Sequence, residues 1–262
     1  MTEKIAANGV ELAYRFDGRE DAPVVMLSNS LMSNHTMWDP QMAALTESYR
    51  VLRYDTRGHG ASGVPEGPYT MSMLGEDAAA LITALDLERV HFVGLSMGGM
   101  IGQYLGANYP ERLISLTLCD TACIMPPPEM WDERVAGARE NGLDAAVPAT
   151  LERWFTEPFR AAGSPVLDKV AEMISGTAVE GFAGCCAAIR DMDQRGLLAS
   201  IKVPTNVIVG ALDPGTPVSA AQVLHEGIEG AELAVIDDSA HLCNMERPDA
   251  FNSAMLGFLA RF

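Results

Sequence analysis

Six short apolar runs, none longer than a strand, limit what this chain can fold into: Val24–Leu27, Val51–Tyr54, Val90–Gly94, Leu113–Leu118, Val207–Val209 and Leu233–Ile236. Runs that are continuously apolar rather than alternating suit strands buried on both faces. Between them lie stretches with helical spacing, at Met73–Leu85, Gly98–Asn108 and Val218–Glu226. Strand alternating with helix specifies the α/β class, with a mostly parallel sheet covered by helices on both sides. Ahead of the first run, Lys4–Ala7 and Val10–Phe16 flank Asn8-Gly9, a dipeptide that favours a two-residue hairpin turn.

The alternation is interrupted from about Cys123 to Arg195. Pro126-Pro127-Pro128 breaks the chain, and a helix-like stretch rich in Ala, Met and Arg follows before strand–helix order resumes at Val203. This predicts an α/β core made of 1–122 and 196–262, with 123–195 inserted as a helical cap.

Composition excludes several functions. With 48% hydrophobic residues in 262, the chain can bury a full core, which argues against disorder. The formal charge of −17 repels phosphate backbones and anionic membranes, so no nucleic-acid or membrane partner is expected. Cys119, Cys123, Cys185, Cys186 and Cys243 are odd in number and lack metal-ligand spacing. A reducing, cytoplasmic setting fits them better than a disulfide framework. The N-terminus shows no apolar run of signal-peptide length, and no segment is long enough to span a membrane.

The strongest motif is Gly94-Leu95-Ser96-Met97-Gly98, a G-x-S-x-G at the junction of a predicted buried strand and a predicted helix. A serine on that sharp turn exposes its hydroxyl and aims the first N–H groups of the helix at whatever it attacks. The plainer alternative is a glycine-rich helix start with a capping serine. A hydroxyl nucleophile needs a base, and the base needs an orienting acid. His241 follows the last predicted strand, on a loop able to reach back over Ser96, whereas His59, His91 and His225 read as structural. For the acid, Asp213 ends the Val207–Val209 strand, and Asp120, at the end of Leu116–Cys119, is its rival.

An oxyanion hole takes two donors. One is the N–H of Met97; the other comes from the loop after the first core strand, by position Leu31, with Ser30 as the alternative. In Tyr54–Ser62, Asp55 and Arg57 are expected to pair and shape the rim of the site. Neither a phosphate-binding glycine loop nor a spaced histidine pair is present, so no nucleotide cofactor and no metal is expected.

With these residues in place, and in the order Ser96, Asp213, His241, the chain resembles the α/β-hydrolases, and within them the 3-oxoadipate enol-lactonases. The stretches that carry the resemblance are LSNSLMSNHTMW (27–38), YDTRGHGAS (54–62), GPYT (67–70), GLSMGGMIG (94–102), Trp131 with Arg134, RWFT (153–156), GFAGCCA (181–187) and AHLCN (240–244). Met32 departs from the pattern by standing where such enzymes usually carry glycine. The resemblance implies an α/β-hydrolase fold and hydrolysis of a small anionic enol-lactone through an acyl-enzyme, without cofactor, in aromatic-compound catabolism. A carboxylate on the substrate would need a cation: Arg134 first and Arg153 second, with Trp131 and Trp154 walling the ring. The Cys185-Cys186 pair reads as packing. The competing readings are a broader carboxylesterase or perhydrolase with the same three residues, a C–C bond hydrolase, and a small-molecule receptor that keeps the hydrolase fold.

Overall fold

The computed structural model describes residues 2–125 and 127–262. Eight strands form one sheet in the order β1-β2-β4-β3-β5-β6-β7-β8. They are β1 (Glu3–Ala7), β2 (Val10–Asp17), β3 (Val24–Ser28), β4 (Arg50–Tyr54), β5 (Val90–Leu95), β6 (Leu113–Cys119), β7 (Thr205–Gly210) and β8 (Glu232–Ile236). Strands β1 and β2 form the expected hairpin, closed by Asn8 (φ 47°) and Gly9 (φ 74°), both in the left-handed region that a tight hairpin turn requires. β2 runs antiparallel to β4, and every pairing from β4 through β8 is parallel.

Helices follow the strands: α1 (Asp39–Leu45), α2 (Met71–Ala84), α3 (Met97–Asn108), then α4 (Pro128–Asn141), α5 (Val147–Trp154), α6 (Glu157–Ala161), α7 (Pro165–Ser175), α8 (Val179–Asp191), and finally α9 (Val218–Gly227), α10 (Cys243–Glu246) and α11 (Pro248–Leu259). Local chemistry explains several ends. Thr70 caps α2 by accepting the Met73 N–H at 3.1 Å, and α4 ends at Gly142, whose φ of 74° turns the chain away. Of the triple-proline break, Pro126 lies outside the described residues, and Pro128 is the first residue of α4.

Strands β3 to β7 are buried along nearly their whole length, as their apolar runs imply. β8 is not. It pairs with β7 alone, and Val235 is 43% exposed, because an edge strand cannot be covered on all sides. Between β6 and β7 lie the five helices α4–α8. The two ends of this insertion meet, since Ile124 bridges to Asp193 and the Gln194 N–H donates to the Cys123 carbonyl at 2.8 Å.

The sheet order reverses direction between β3 and β5, where chain crossovers depart to opposite sides and leave a crevice at the strand ends. Ser28, the last residue of β3, is in register with Gly94 of β5. The loops after these two strands therefore emerge side by side. Among the described residues no helix is long and apolar enough to cross a membrane.

Candidate active site

Ser96 is the single residue between β5 and α3. It holds φ 57° and ψ −114°, a conformation costly for any residue with a side chain. Its neighbours impose it: the Ser96 N–H donates to the Cys119 carbonyl at 2.8 Å, and the Thr121 hydroxyl donates to the Ser96 carbonyl at 2.7 Å. The flanking glycines are required by space. A Cβ at Gly94 would sit 2.1 Å from the Gly98 carbonyl oxygen, and one at Gly98 would sit 2.2 Å from that of Ser28.

His241 lies in the loop after β8, and its Nδ1 is 2.7 Å from Asp213 Oδ2. Asp213, after β7, accepts three further hydrogen bonds: the N–H groups of Gly215 (2.8 Å) and Thr216 (3.1 Å) on Oδ1, and the Thr216 hydroxyl (2.6 Å) on Oδ2. Burial acts to raise the Asp213 pKa, but His241 and Thr216 outweigh it and hold the carboxyl below its usual range. Burial acts to lower that of His241, and Asp213, with Asp120 behind it, outweighs it, so the imidazole titrates above its ordinary value.

Asp120 stands apart from the imidazole. Its Oδ1 accepts the Gly210 N–H at 2.7 Å, and its Oδ2 is 2.8 Å from the Cys243 thiol. Burial and the like charge of Asp213 push it up to about 8. Of the two candidate acids, the structure puts Asp213 in hydrogen-bond contact with His241.

The two N–H groups expected to act as donors are those of Met97 and Leu31. Met97 opens α3, so its N–H has no partner within the helix. In the loop after β3, the Ser30 N–H is directed to Met37 Sδ at 3.3 Å and the Met32 N–H to His59 Nε2 at 3.0 Å. The intervening Leu31 N–H has no hydrogen-bond acceptor among the described residues. This argues against the Ser30 N–H as second donor, although Ser30 Oγ is buried and unpartnered beside the cavity.

A cavity of about 530 Å³ connects Leu31, Ser96 and His241. Ser30, Leu31, Ser96, Thr216 and His241 line one side, and Trp131, Arg134, Arg153, Trp154 and Ile189 of the insertion line the other, with Met32, Met100, Met125 and Met130 around them. Arg134 lies over the Trp131 ring at 5.0 Å, and the Trp154 ring is 6.2 Å from that of His241. Among the described residues neither arginine is within ion-pair distance of a carboxylate; Arg153 donates to the Thr150 hydroxyl at 3.1 Å. Burial lowers the pKa of Arg134, and burial with the neighbouring charge of Arg134 brings Arg153 down to about 10. A second cleft, about 330 Å³, lies over α4, α8 and Gly67–Pro68 and contains none of Ser96, Asp213 or His241. No group of three or more His, Cys, Asp or Glu among the described residues is arranged to hold a metal ion.

One expectation about the site fails. Asp55 and Arg57 do not pair. Asp55 accepts the His35 N–H (2.7 Å) and the Ala61 N–H (2.9 Å) and faces His35 Nδ1 at 2.9 Å, while Arg57 pairs with Asp77 of α2. Residues two apart on this loop point to different elements, so nearness in sequence misled. Cys185 and Cys186 are buried free thiols whose pKa values burial raises, as packing groups should be.

Three contacts had no signal in the sequence. Thr216 braces Asp213. Glu246 joins the two layers, with Oε1 accepting the Thr156 N–H (3.0 Å) and Oε2 the Ala240 N–H (2.8 Å) beside His241. The Leu242 N–H donates to the Trp154 carbonyl at 3.1 Å, so the RWFT segment is fastened to the loop that carries His241.

Comparison with known proteins agrees with this architecture. The family model described as the alpha/beta hydrolase fold matches residues 23–248. The chain is 38% identical over 260 residues to 3-oxoadipate enol-lactonase 2 of Acinetobacter baylyi, covering 99% of this chain and 97% of the relative. The crystal structure of the enol-lactonase from Burkholderia xenovorans superposes with a TM-score of 0.96 at 41% identity, covering 98% of this chain and all of the other. A thermophilic esterase from Thermogutta terrifontis, in a malate-bound structure, matches with a TM-score of 0.92 at 28% identity over the full chain and 98% of its own. The protein is an ester-hydrolysing enzyme. On these matches and the eight-stranded sheet that carries Ser96 at its switch point, the chain belongs to the α/β-hydrolase family, in the branch that includes the 3-oxoadipate enol-lactonases.

Proposed function

We propose that the chain hydrolyses a small anionic enol-lactone, 3-oxoadipate enol-lactone to 3-oxoadipate, through an acyl-enzyme on Ser96, as a step of aromatic-compound catabolism. The observation that carries the substrate class is the pair Arg134 and Arg153. Two half-buried guanidinium groups without a carboxylate partner among the described residues share one cavity with Ser96 and His241. A protein of net charge −17 offers an anion little attraction elsewhere, so a carboxylate brought between these arginines restores their missing partner. The enol-lactonase relatives supply the ring chemistry.

In this reading Ser96 Oγ attacks the lactone carbonyl while His241 Nε2, the ring nitrogen not bonded to Asp213, takes its proton. Asp213 holds the imidazole in that tautomer and stabilises its charge. The N–H groups of Leu31 and Met97 receive the oxyanion, each such donor being worth about 10²–10³ in rate. The ring C–O bond then breaks, and the departing enolate oxygen takes the proton back from His241. The enol becomes the ketone, which draws ring opening forward. Water attacks the acyl carbon as His241 removes its proton, and the acid leaves with Ser96 restored. Helices α4–α8, residues 123–195, act as the cap that supplies Trp131, Arg134, Arg153 and Trp154. Five free buried cysteines suit a cytoplasmic location.

The broader-esterase reading has one observation behind it, the likeness to the Thermogutta terrifontis esterase. Comparing kcat/KM on 3-oxoadipate enol-lactone and on a neutral p-nitrophenyl ester separates the two. The lactonase reading expects a preference for the lactone of about a thousandfold, ~4 kcal/mol of transition-state binding. A flat profile overturns it in favour of the general esterase.

A further inference from the structure

His59 sits directly behind the loop that carries Leu31. It is 1% exposed, and none of its atoms appears on the cavity wall. Its Nδ1 lies 3.3 Å from the Arg57 carbonyl, an acceptor only, so Nδ1 carries the ring proton. Nε2 is therefore a bare lone pair, and it receives the Met32 N–H at 3.0 Å. Met32 holds φ 59°, a left-handed conformation that a methionine adopts only under restraint. The hydrogen bond that Met32 donates to His59 restrains the very residue that needs it.

The ring itself is clamped from the insertion. Cys185 of α8 places its sulfur 4.0 Å from Nδ1 and 3.8 Å from the Arg57 carbonyl. One turn earlier α8 meets the His59 loop backbone to backbone, since a Cβ at Gly181 would lie 2.1 Å from the Gly58 carbonyl oxygen. The Arg57 carbonyl and the Met32 N–H thus fix the tautomer of His59, and α8 packs against the ring.

We propose that His59 is a positioning residue for the oxyanion hole: by accepting the Met32 N–H it fixes the left-handed turn that leaves the Leu31 N–H free to receive the oxyanion. The proposal rests on the oxyanion role given to Leu31 above. Burial pushes the His59 pKa down to about 4, so the ring stays the neutral acceptor this task requires across the neutral range. Because the oxyanion exists only after attack, loosening this hold reduces kcat and leaves substrate binding nearly intact.

The test uses His59→Leu, which has no acceptor, and His59→Gln, whose Oε1 can take the place of Nε2. Turnover is measured on a neutral p-nitrophenyl ester and normalised to competent sites by titrating the nucleophile with a fluorophosphonate. The leucine variant is expected to lose about 10- to 100-fold in kcat, part of what a whole oxyanion donor is worth. KM should change by less than about twofold, and the glutamine variant should recover most of the loss. Equal losses in the two variants, a loss confined to KM, or wild-type kcat in His59→Leu would each overturn the proposal. Should His59→Leu fail to fold, His59→Asn against His59→Gln makes the same comparison, because the shorter amide stops short of Met32. Ser96→Ala serves as the control on the underlying reading. If it stays active, the nucleophile assignment has failed; if it is inactive while His59→Leu is unimpaired, this inference falls and the nucleophile assignment stands.

Discussion

The Thr216 hydroxyl donates to Asp213 at 2.6 Å, on the same carboxylate oxygen that meets His241. Asp213 is therefore oriented by a residue three positions along its own loop as well as by the imidazole. A hydrogen bond to a charged carboxylate is worth about 1.5–3 kcal/mol. Thr216→Val, which keeps the shape and removes the donor, should lower kcat/KM roughly tenfold or more, measured on the neutral ester. Thr216→Ser should retain most of the activity.

Replacing the acids separates two carboxyls that end neighbouring strands. Asp213→Asn should cost about 10⁴ in kcat, as expected when the imidazole loses its orienting partner. Asp120→Asn should leave activity within about tenfold and alter stability instead. A free aspartate titrates near 3.8, whereas Asp120 holds its proton up to about 8. The folded state therefore binds a proton that the unfolded chain releases. The contribution of this group to stability is complete below about pH 3.8 and is eroded as pH rises toward 8. Urea midpoints of Asp120→Asn should accordingly show a flatter profile than wild type between pH 4 and 8, with its relative gain largest at the alkaline end.

Arg134 and Arg153 invite a substrate-dependent test. Arg134→Ala should raise KM for the anionic lactone by roughly 10- to 100-fold, the value of a charge-assisted contact of about 1.5–3 kcal/mol. The neutral ester should be unaffected. Arg153→Ala should follow the same pattern. An equal loss on both substrates would remove the carboxylate role from the arginine concerned.

Gly181 should tolerate no side chain. Its Cβ would fall 2.1 Å from the Gly58 carbonyl oxygen, and Gly58, at φ 80°, is itself held in a left-handed turn. Backbone meeting backbone cannot yield as a flexible side chain does. Gly181→Ala should cost about 1–3 kcal/mol, the usual range for overpacking. In a chain of this length that is a fall of several degrees in Tm. Gly137→Ala, where a Cβ meets nothing within 4 Å, should leave Tm unchanged or raise it slightly.

Much of this was legible in the order of residues. Gly94, Ser96 and Gly98 could be read because the strand–turn–helix junction is a local device, and its glycine spacing answers to backbone clashes within a few residues. The apolar runs gave the strands, but not which of them would stand at an edge, and so the exposure of β8 went unread. Asp120 and Asp213 look alike in sequence, because both end strands and only the distance to His241 separates them. Asp55 and Arg57 were misread for the converse reason: closeness along the chain does not say which way a loop turns its side chains. Thr216, Glu246 and His59 act through contacts that no periodicity announces.

The bridge between Ile124 and Asp193 gives the helical insertion a single doorway. Seventy or so residues leave the sheet and return at almost the same point, so nothing in β6 or β7 depends on how long the excursion is. Lengthening such a loop adds only slowly to the entropy of closing it, about 0.6 kcal/mol for each doubling. The helices can thus change in length without moving β6 or β7, so long as Gly181 and Cys185 keep their place against the His59 loop and the Trp154 carbonyl keeps its hold on the loop that carries His241.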